Sequence, residues 1–474
     1  MMERWFRLRD NQTSVRVEVS SGVTVFLTAL YILFVNRVVM VDAGMPPDGV
    51  FIATALSAAI CTLFMALYAN LPFTVAPGMS LNAFFTYTIC LGAGYHWKEA
   101  LAITFLAGTL HAFLMLTPAR KSLIAAIPEH IGLAAGAAMG LLIAYIAVKN
   151  TGIFSDIPNI AKAPNASFSL GDFSFTTFLQ AFNPTHLIPI VAAGILLLLL
   201  SFEQKTGERF AALPVSILAA TFLCLPITLE RIHDISSVSG SALAEFWSLC
   251  FSFFGVPGLG SIFASPAVAA KTLLIIILLA LTNILDSLGT IMGIGYAENA
   301  NLFERHEMEL FRQKYSASRL DRALIANSFG GMISPLLGAS TAVVYLESSA
   351  AVLTGGRTGL SGMVTGILFL LCIPIAGFFR IIPVEAVAPV MIYVGATTMA
   401  RLRNIHWGDL SEFVPTFLTV LFVPLTGSIL DGMCIGILSY VMINIATGTR
   451  KKVHPALLVI GFAYILTKIA AKFV

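Results

Sequence analysis

The stretch Gly338-Ala-Ser-Thr-Ala-Val-Val-Tyr-Leu-Glu347, continued by Ser348-Ser-Ala-Ala-Val352 and Gly355-Gly-Arg-Thr-Gly359, decides how this chain is read. It lies in a strongly apolar region, yet it does not read as an uninterrupted helix. Pro335 and Gly338 break the approach, and Thr341, Val343, Val344 and Tyr345 are β-branched or aromatic residues that favour an extended backbone. A helix-compatible run follows, with the carboxylate of Glu347 in its first turn. An ionisable group in such surroundings is costly and marks a functional site by default.

Composition sets the setting of that carboxylate. Hydrophobic residues make up 57% of the 474 and charged residues only 11%, against about 25% charged in ordinary soluble domains. Mean hydropathy is +0.88. The chain therefore reads as a polytopic membrane protein with room for about a dozen spans of ~20 apolar residues. Arg4, Arg7, Arg9 and Arg16 precede a first span at 22–41, which favours a cytoplasmic N-terminus. No cleavable signal peptide is expected. The six cysteines are scattered through apolar segments and read as small buried hydrophobes.

A second broken stretch lies near the start. Pro72-Phe-Thr-Val-Ala-Pro-Gly78 cannot be regular helix throughout, because Pro77 and Gly78 interrupt it, and a helix resumes over 79–91. Such a half-extended segment is tolerated in a membrane only where protein buries it or a cavity borders it. The chain then starts over: a span at 267–286, a basic linker at 298–322 and a short span at 323–335 lead into the stretch quoted first. An odd number of spans per half inverts the second half relative to the first, so segments three and ten correspond. Interrupted segments in matching positions of two halves point to a transporter's binding site. The loop 230–266, with Trp247, suits an interfacial helix, and 455–469 is short enough to lie in the interface.

Polar residues deep in these segments carry the chemistry. Asn82, Asp286 and Glu347 are the candidates, and the competing reading is that they glue helices together by buried hydrogen bonds. Carboxylates tip the balance toward function, since in membranes they serve ion, proton or substrate pathways. Thr290, four residues after Asp286, shares its helical face and is placed to orient it. Helix starts at the breaks offer free N–H groups; carboxylates beside them suit a planar, neutral ligand with several hydrogen-bonding groups, on which Phe84, Phe85 or Tyr345 could stack. Two carboxylates in one low-dielectric site do not both ionise without cost, so Asp286 and Glu347 are the expected proton-coupling groups. His111 reads as a satisfied membrane histidine and Arg357 as a helix-connection charge. With no metal-ligand spacing, no phosphate-loop motif and no nucleophile–base pattern, an enzyme, an ATP-driven pump, a metal site and a cofactor are not expected.

At Ala76-Pro-Gly-Met-Ser-Leu-Asn-Ala-Phe-Phe85, Asp286-Ser-Leu-Gly-Thr290, Tyr345-Leu-Glu-Ser348 and Gly355-Gly-Arg-Thr-Gly-Leu360 the chain resembles the AzgA-like purine permeases of the nucleobase–cation symporter-2 (nucleobase/ascorbate transporter) group. Ala388-Pro-Val-Met-Ile-Tyr-Val-Gly395 and Pro424-Leu-Thr-Gly-Ser-Ile429 extend the similarity along nearly the whole chain. The resemblance implies an all-α polytopic membrane fold of fourteen segments in two inverted repeats of seven, with short extended stretches in broken segments three and ten. It implies a core domain (22–118 and 267–379), a gate domain (119–229 and 380–447), a cytoplasmic N-terminus (1–21), an outer loop (230–266) and a basic C-terminal segment (448–474). It also implies a substrate site at Gly78, Met79, Ser80, Asn82, Asp286, Thr290, Tyr345, Leu346 and Glu347. The implied partners are a purine nucleobase (adenine, guanine or hypoxanthine), a proton rather than sodium, the lipid bilayer and a second copy in a homodimer, with no nucleic acid. The implied setting is a plasma or inner membrane, with both termini cytoplasmic and elevator-type alternating access. The rival readings on the same fold are an anion transporter of the sulfate or bicarbonate type and a uracil or xanthine transporter. Departures from the family pattern fall at Ser80, at Asn36-Arg37 and at Gly338-Ala-Ser-Thr-Ala-Val343.

Overall fold

A computed structural model describes residues 5–117, 128–150, 187–206, 212–223, 238–295, 302, 319–374, 382–426 and 429–449, with short pieces between 453 and 465. The linker 298–318, apart from Leu302, and most of the loop 149–184 lie outside the described residues.

The first half runs α1 (Val15–Ala29), α2 (Ile32–Val41), α3 (Pro47–Ala69), β1 (Val75–Pro77), α4 (Met79–Ala83), a π-helical stretch (Phe84–Gly92), α5 (Trp97–Leu116), α6 (Glu129–Asn150), α7 (Leu187–Thr206) and α8 (Ala212–Leu223). After α9 (Val238–Leu249) come α10 (Pro266–Gly295), α11 (Arg319–Leu336), β2 (Ala342–Val344), a 3-10 turn (Leu346–Ser348), α12 (Ser349–Leu353), α13 (Gly359–Cys372), α14 (Val384–Met399), α15 (Leu410–Thr426) and α16 (Ile429–Ala446). By length and composition Val15–Val41, Pro47–Ala69, Trp97–Leu116 and Ile188–Lys205 suffice to cross a membrane, and shorter apolar helices accompany them.

Local chemistry accounts for several boundaries. The first span starts at Val15 rather than at residue 22, because Ser14 caps it with its hydroxyl on the Val17 N–H. Pro335 does not end its helix; it rides in the last turn of α11, and the break falls at Gly338, whose φ of +85° only glycine adopts cheaply. The span expected at 267–286 runs on to Gly295, so Asp286 and Thr290 both lie inside α10. The helix expected in the loop 230–266 is α9, which packs on α3, and Glu245 on it accepts from the Asp48 and Gly49 N–H groups at the start of α3, each at 3.1 Å. That arrangement supplies an anion to the N-terminal end of α3, where the helix dipole favours one.

Packing sorts the helices into two groups. In one, α3 packs on α13, α11 and α9, α11 on α5, and α13 on α1. Gly108 and Gly331 bring α5 and α11 together so closely that a Cβ on Gly108 would lie 2.3 Å from the Gly331 carbonyl oxygen, the small-residue contact on which helices in lipid associate. In the other, α6 packs on α14 and α15, α15 on α16, and α7 on α8 and α14. Both broken stretches belong to the first group.

Candidate functional site

The two interrupted segments meet as an antiparallel strand pair, with Val75 opposite Val344, Ala76 opposite Val343 and Pro77 opposite Ala342. Gly78 N–H donates to the Thr341 carbonyl at 3.0 Å and Tyr345 N–H to the Thr74 carbonyl at 2.9 Å, extending the ladder at both ends. A pair of short strands leaves its outer edges unpaired, and no water in a bilayer core would satisfy them. Side chains from the surrounding helices do so. Thr62 on α3 both donates to the Val75 carbonyl (3.1 Å) and accepts from its N–H (3.0 Å). Asn327 on α11 accepts from the Val344 N–H at 2.8 Å and donates to Ser287 on α10 at 2.5 Å. Ser348 accepts from the Thr74 N–H at 2.9 Å. Pro77, which has no N–H to satisfy, sits where the ladder needs none. The Tyr345 hydroxyl donates to the Pro77 carbonyl, fastening the strands once more.

Past the strands the chain turns helical on both sides of the crossing. Neither α4 nor the 3-10 turn at 346–348 has a side-chain cap, and the first N–H groups of a helix start have no acceptor within the helix itself. Gly78, Met79, Ser80, Tyr345, Leu346 and Glu347 line one wall of a cavity of about 770 Å³, and Asp286 and Thr290 from α10 join them. Other helices close it: Gly140 of α6, Leu197 and Gln204 of α7, Leu213 of α8, and Tyr393 and Thr397 of α14. The cavity thus lies between the two helix groups, with Asp286 and Glu347 on the wall built from the broken segments and α10, and Glu203 of α7 on the facing wall, where it accepts from the Ala212 N–H at 3.0 Å. Its volume falls in the range of small-molecule sites, roughly 300–1,000 Å³.

Of the residues singled out in the sequence, Asn82 stands apart. It is fully buried and does not line the cavity; its side-chain oxygen accepts from the Ser340 hydroxyl, which ties α4 to the approach of β2. Phe84 and Phe85 are also buried in the core rather than on the cavity wall, so the stacking expected of them does not occur there. They fall on the helical continuation of α4, whose core-facing side carries them away from the crossing. His111 is wholly buried with neither ring nitrogen hydrogen-bonded among the described residues, which corrects its reading as a satisfied histidine. No group of metal-ligating side chains occurs among the described residues.

Sequence reasoning missed Tyr31. It sits at the turn joining α1 and α2, lines the cavity, and donates its hydroxyl to Glu347 Oε1 at 2.7 Å. It also missed Glu18, whose buried carboxylate accepts from the N–H groups of Arg357 (2.8 Å), Thr358 (3.1 Å) and Ser361 (3.2 Å). That clamp holds the start of α13, and through the 354–358 connection it steadies the far end of the Glu347 segment. The Arg357 guanidinium is spent locally, on the carbonyls of Val352 and Gly356.

The chain is similar to known proteins along most of its length. The model of the Permease family matches residues 16–435. The chain is 30% identical over 466 residues to the adenine permease AdeP of Escherichia coli, covering 98% of this chain and 95% of that one. It is 30% identical over 478 residues to the guanine/hypoxanthine permease PbuG of Bacillus subtilis, covering 98% and 99%. In fold it resembles the transmembrane domain of the cyanobacterial bicarbonate transporter BicA, with a TM-score of 0.58 at 16% identity over 89% of this chain and 97% of that one.

Proposed function

The chain belongs to the Permease family, in its AzgA-like branch, and from that premise we propose that it imports a purine nucleobase (adenine, guanine or hypoxanthine) across a cell membrane by proton symport. The observation that carries this reading is the Glu347 carboxylate on the cavity wall, one oxygen of which accepts from Tyr31 while two helix starts without side-chain caps border the same cavity. A purine presents N–H donors and ring-nitrogen or carbonyl acceptors along one planar edge. Glu347 accepts from the donors and the N–H groups at Leu346–Glu347 and Met79–Ser80 serve the acceptors, so that desolvating the base leaves few of its polar atoms unpaired.

Asp286 and Thr290 form the neighbouring part of the wall and give the proton a second carboxylate to occupy. Asp286 and Glu347 belong to the helix group that holds the crossed strands, whereas the facing wall carries Gly, Leu and Tyr together with Glu203, which is tied to the Ala212 N–H. Movement of the acid-bearing group against the other, as in an elevator, would carry base and proton together, and this supports alternating access with 22–118 and 267–379 as the moving core. An anion of the bicarbonate type fits the fold but would meet the carboxylates of Glu203, Asp286 and Glu347 in the cavity, and like charges repel it.

The test is uptake of labelled adenine or hypoxanthine into proteoliposomes with and without an imposed inward proton gradient. Accumulation that collapses when a protonophore is added supports the reading. Purine uptake indifferent to the gradient would sink proton coupling, and absence of purine uptake would sink the substrate assignment.

A further inference from the structure

A second cavity, of about 1,080 Å³, opens at the end of the molecule where the N-terminal segment crosses the last turn of α3 and the first turn of α11. Arg7, Arg319 and Arg322 line it, with Trp5, Tyr68 and Asp10. The N-terminal strap that forms its roof is built in, not loosely laid. Phe6 and Leu8 are buried against Leu360, Asn70 donates to the Phe6 carbonyl at 3.1 Å, and Arg319 donates to Asn11 Oδ1 at 3.0 Å. Arg319 is thereby partly spent on holding the strap, with further bonds to the carbonyls of Asn70 (2.7 Å) and Arg357 (3.2 Å).

Arg7 and Arg322 are not spent in this way. Among the described residues neither forms a side-chain hydrogen bond or ion pair, and Nε of Arg322 is buried without any partner. Arg319 and Arg322 also occupy the first turn of an 18-residue helix, where the macrodipole already places positive charge and a cation is unfavourable. Asp321, the acid of that turn, is buried. A helix start loaded with guanidinium groups beside a cavity would be stabilised by an anion, and planar guanidinium groups match phosphate oxygens in particular.

We propose that this cavity binds a phosphate-bearing anion through Arg7 and Arg322, with Arg319 bracing the strap above it. The rim fits a phospholipid headgroup as the source. Trp5, Leu67 and Tyr68 are 68%, 55% and 41% exposed beside the arginines, and an aromatic and apolar rim next to basic residues is the arrangement of a membrane–water interface. Free inorganic phosphate is the other source of the same chemistry. Because the strap contacts the 355–357 connection after α12 through Thr13 on the Gly355 carbonyl, and Arg319 of α11 contacts it through the Arg357 carbonyl, an occupant would stiffen the helix group that bears Glu347.

Native mass spectrometry of the full-length protein in detergent tests this, titrated separately with short-chain phosphatidylglycerol, short-chain phosphatidylcholine and inorganic phosphate. The expected result is retention of phosphatidylglycerol over phosphatidylcholine, weakened about tenfold by Arg322→Gln and by Arg7→Gln, the scale of losing a charge-assisted hydrogen bond. Retention of inorganic phosphate, lost in the same variants and competing with the lipid, identifies a free anion as the occupant. Asp10→Asn removes the acid of the rim and is expected to tighten binding, a change that misfolding does not mimic. Binding of none of the three probes, retention of phosphatidylcholine equal to that of phosphatidylglycerol, or equal binding by wild type, Arg7→Gln, Arg322→Gln and Asp10→Asn, overturns the proposal.

Discussion

Tyr31→Phe isolates the contact that sequence reasoning missed. Tyr31 is 2% exposed and its ring is packed, so phenylalanine refills the same volume and opens no cavity. The change removes one hydroxyl, and with it the 2.7 Å bond to Glu347 Oε1. Glu347 is only half-buried and borders the cavity, so water can replace the lost donor; the cost is then that of an ordinary net hydrogen bond, about 1 kcal/mol. That cost falls on ligand affinity, because the bond fixes the carboxylate in the orientation that meets the base before the base arrives. The expected outcome is a Kd raised roughly fivefold with thermal stability unchanged, read by scintillation-proximity binding of labelled hypoxanthine to the purified protein. In a Glu347→Gln background the same substitution should cost less, since the bond loses its charge assistance. A Tyr31→Phe protein that binds as wild type does, or effects that add to within about 0.3–0.5 kcal/mol, would refute the claim that the hydroxyl acts through Glu347.

Other perturbations probe the crossing itself. A Cβ on Gly78 would lie 2.6 Å from Cγ2 of Val343 on the facing strand, so Gly78→Ala should cut uptake sharply, and adding Val343→Ala should restore much of it; failure of the second change to rescue would show that the contact is not what matters. Asn327→Ala strips the acceptor from the buried Val344 N–H and the donor from Ser287, and is expected to destabilise the protein by about 1–3 kcal/mol, seen as a lower midpoint in a thermal-shift assay. Asp286→Ala is expected to abolish uptake while the protein still reaches the membrane at wild-type abundance; wild-type transport by that variant would remove Asp286 from the site.

Much of this site was legible in the sequence because its features are chemically conspicuous in an apolar chain. Pro77, Gly78 and Gly338 announced interruptions, and Asp286 and Glu347 announced charge where charge is expensive. The pairing of Val75–Pro77 with Ala342–Val344 followed from both stretches being unable to continue as helix. Tyr31 gave no such signal, since an aromatic residue within Ala29-Leu-Tyr-Ile32 reads as span filler, and only the turn between α1 and α2 aims it at Glu347. Asn82 carried a real signal of another kind: its buried amide oxygen accepts from Ser340 across the crossing, and the side chain is not among the residues that line the cavity. The facing wall was invisible for a different reason. Leu197, Leu213 and Tyr393 are ordinary membrane-helix residues, and their place opposite the acids depends on how α7, α8 and α14 pack, which no local pattern encodes.

The central claim is that a purine base sits against Glu347 between the two helix groups. Equilibrium binding of labelled hypoxanthine to purified wild-type and Glu347→Ala protein, challenged with unlabelled adenine, guanine and bicarbonate, addresses it most directly. The account predicts saturable binding by the wild type, displaced by at least one of the purines and untouched by bicarbonate, and no measurable binding by Glu347→Ala at unchanged thermal stability. Displacement by bicarbonate, or wild-type affinity in Glu347→Ala, would contradict it.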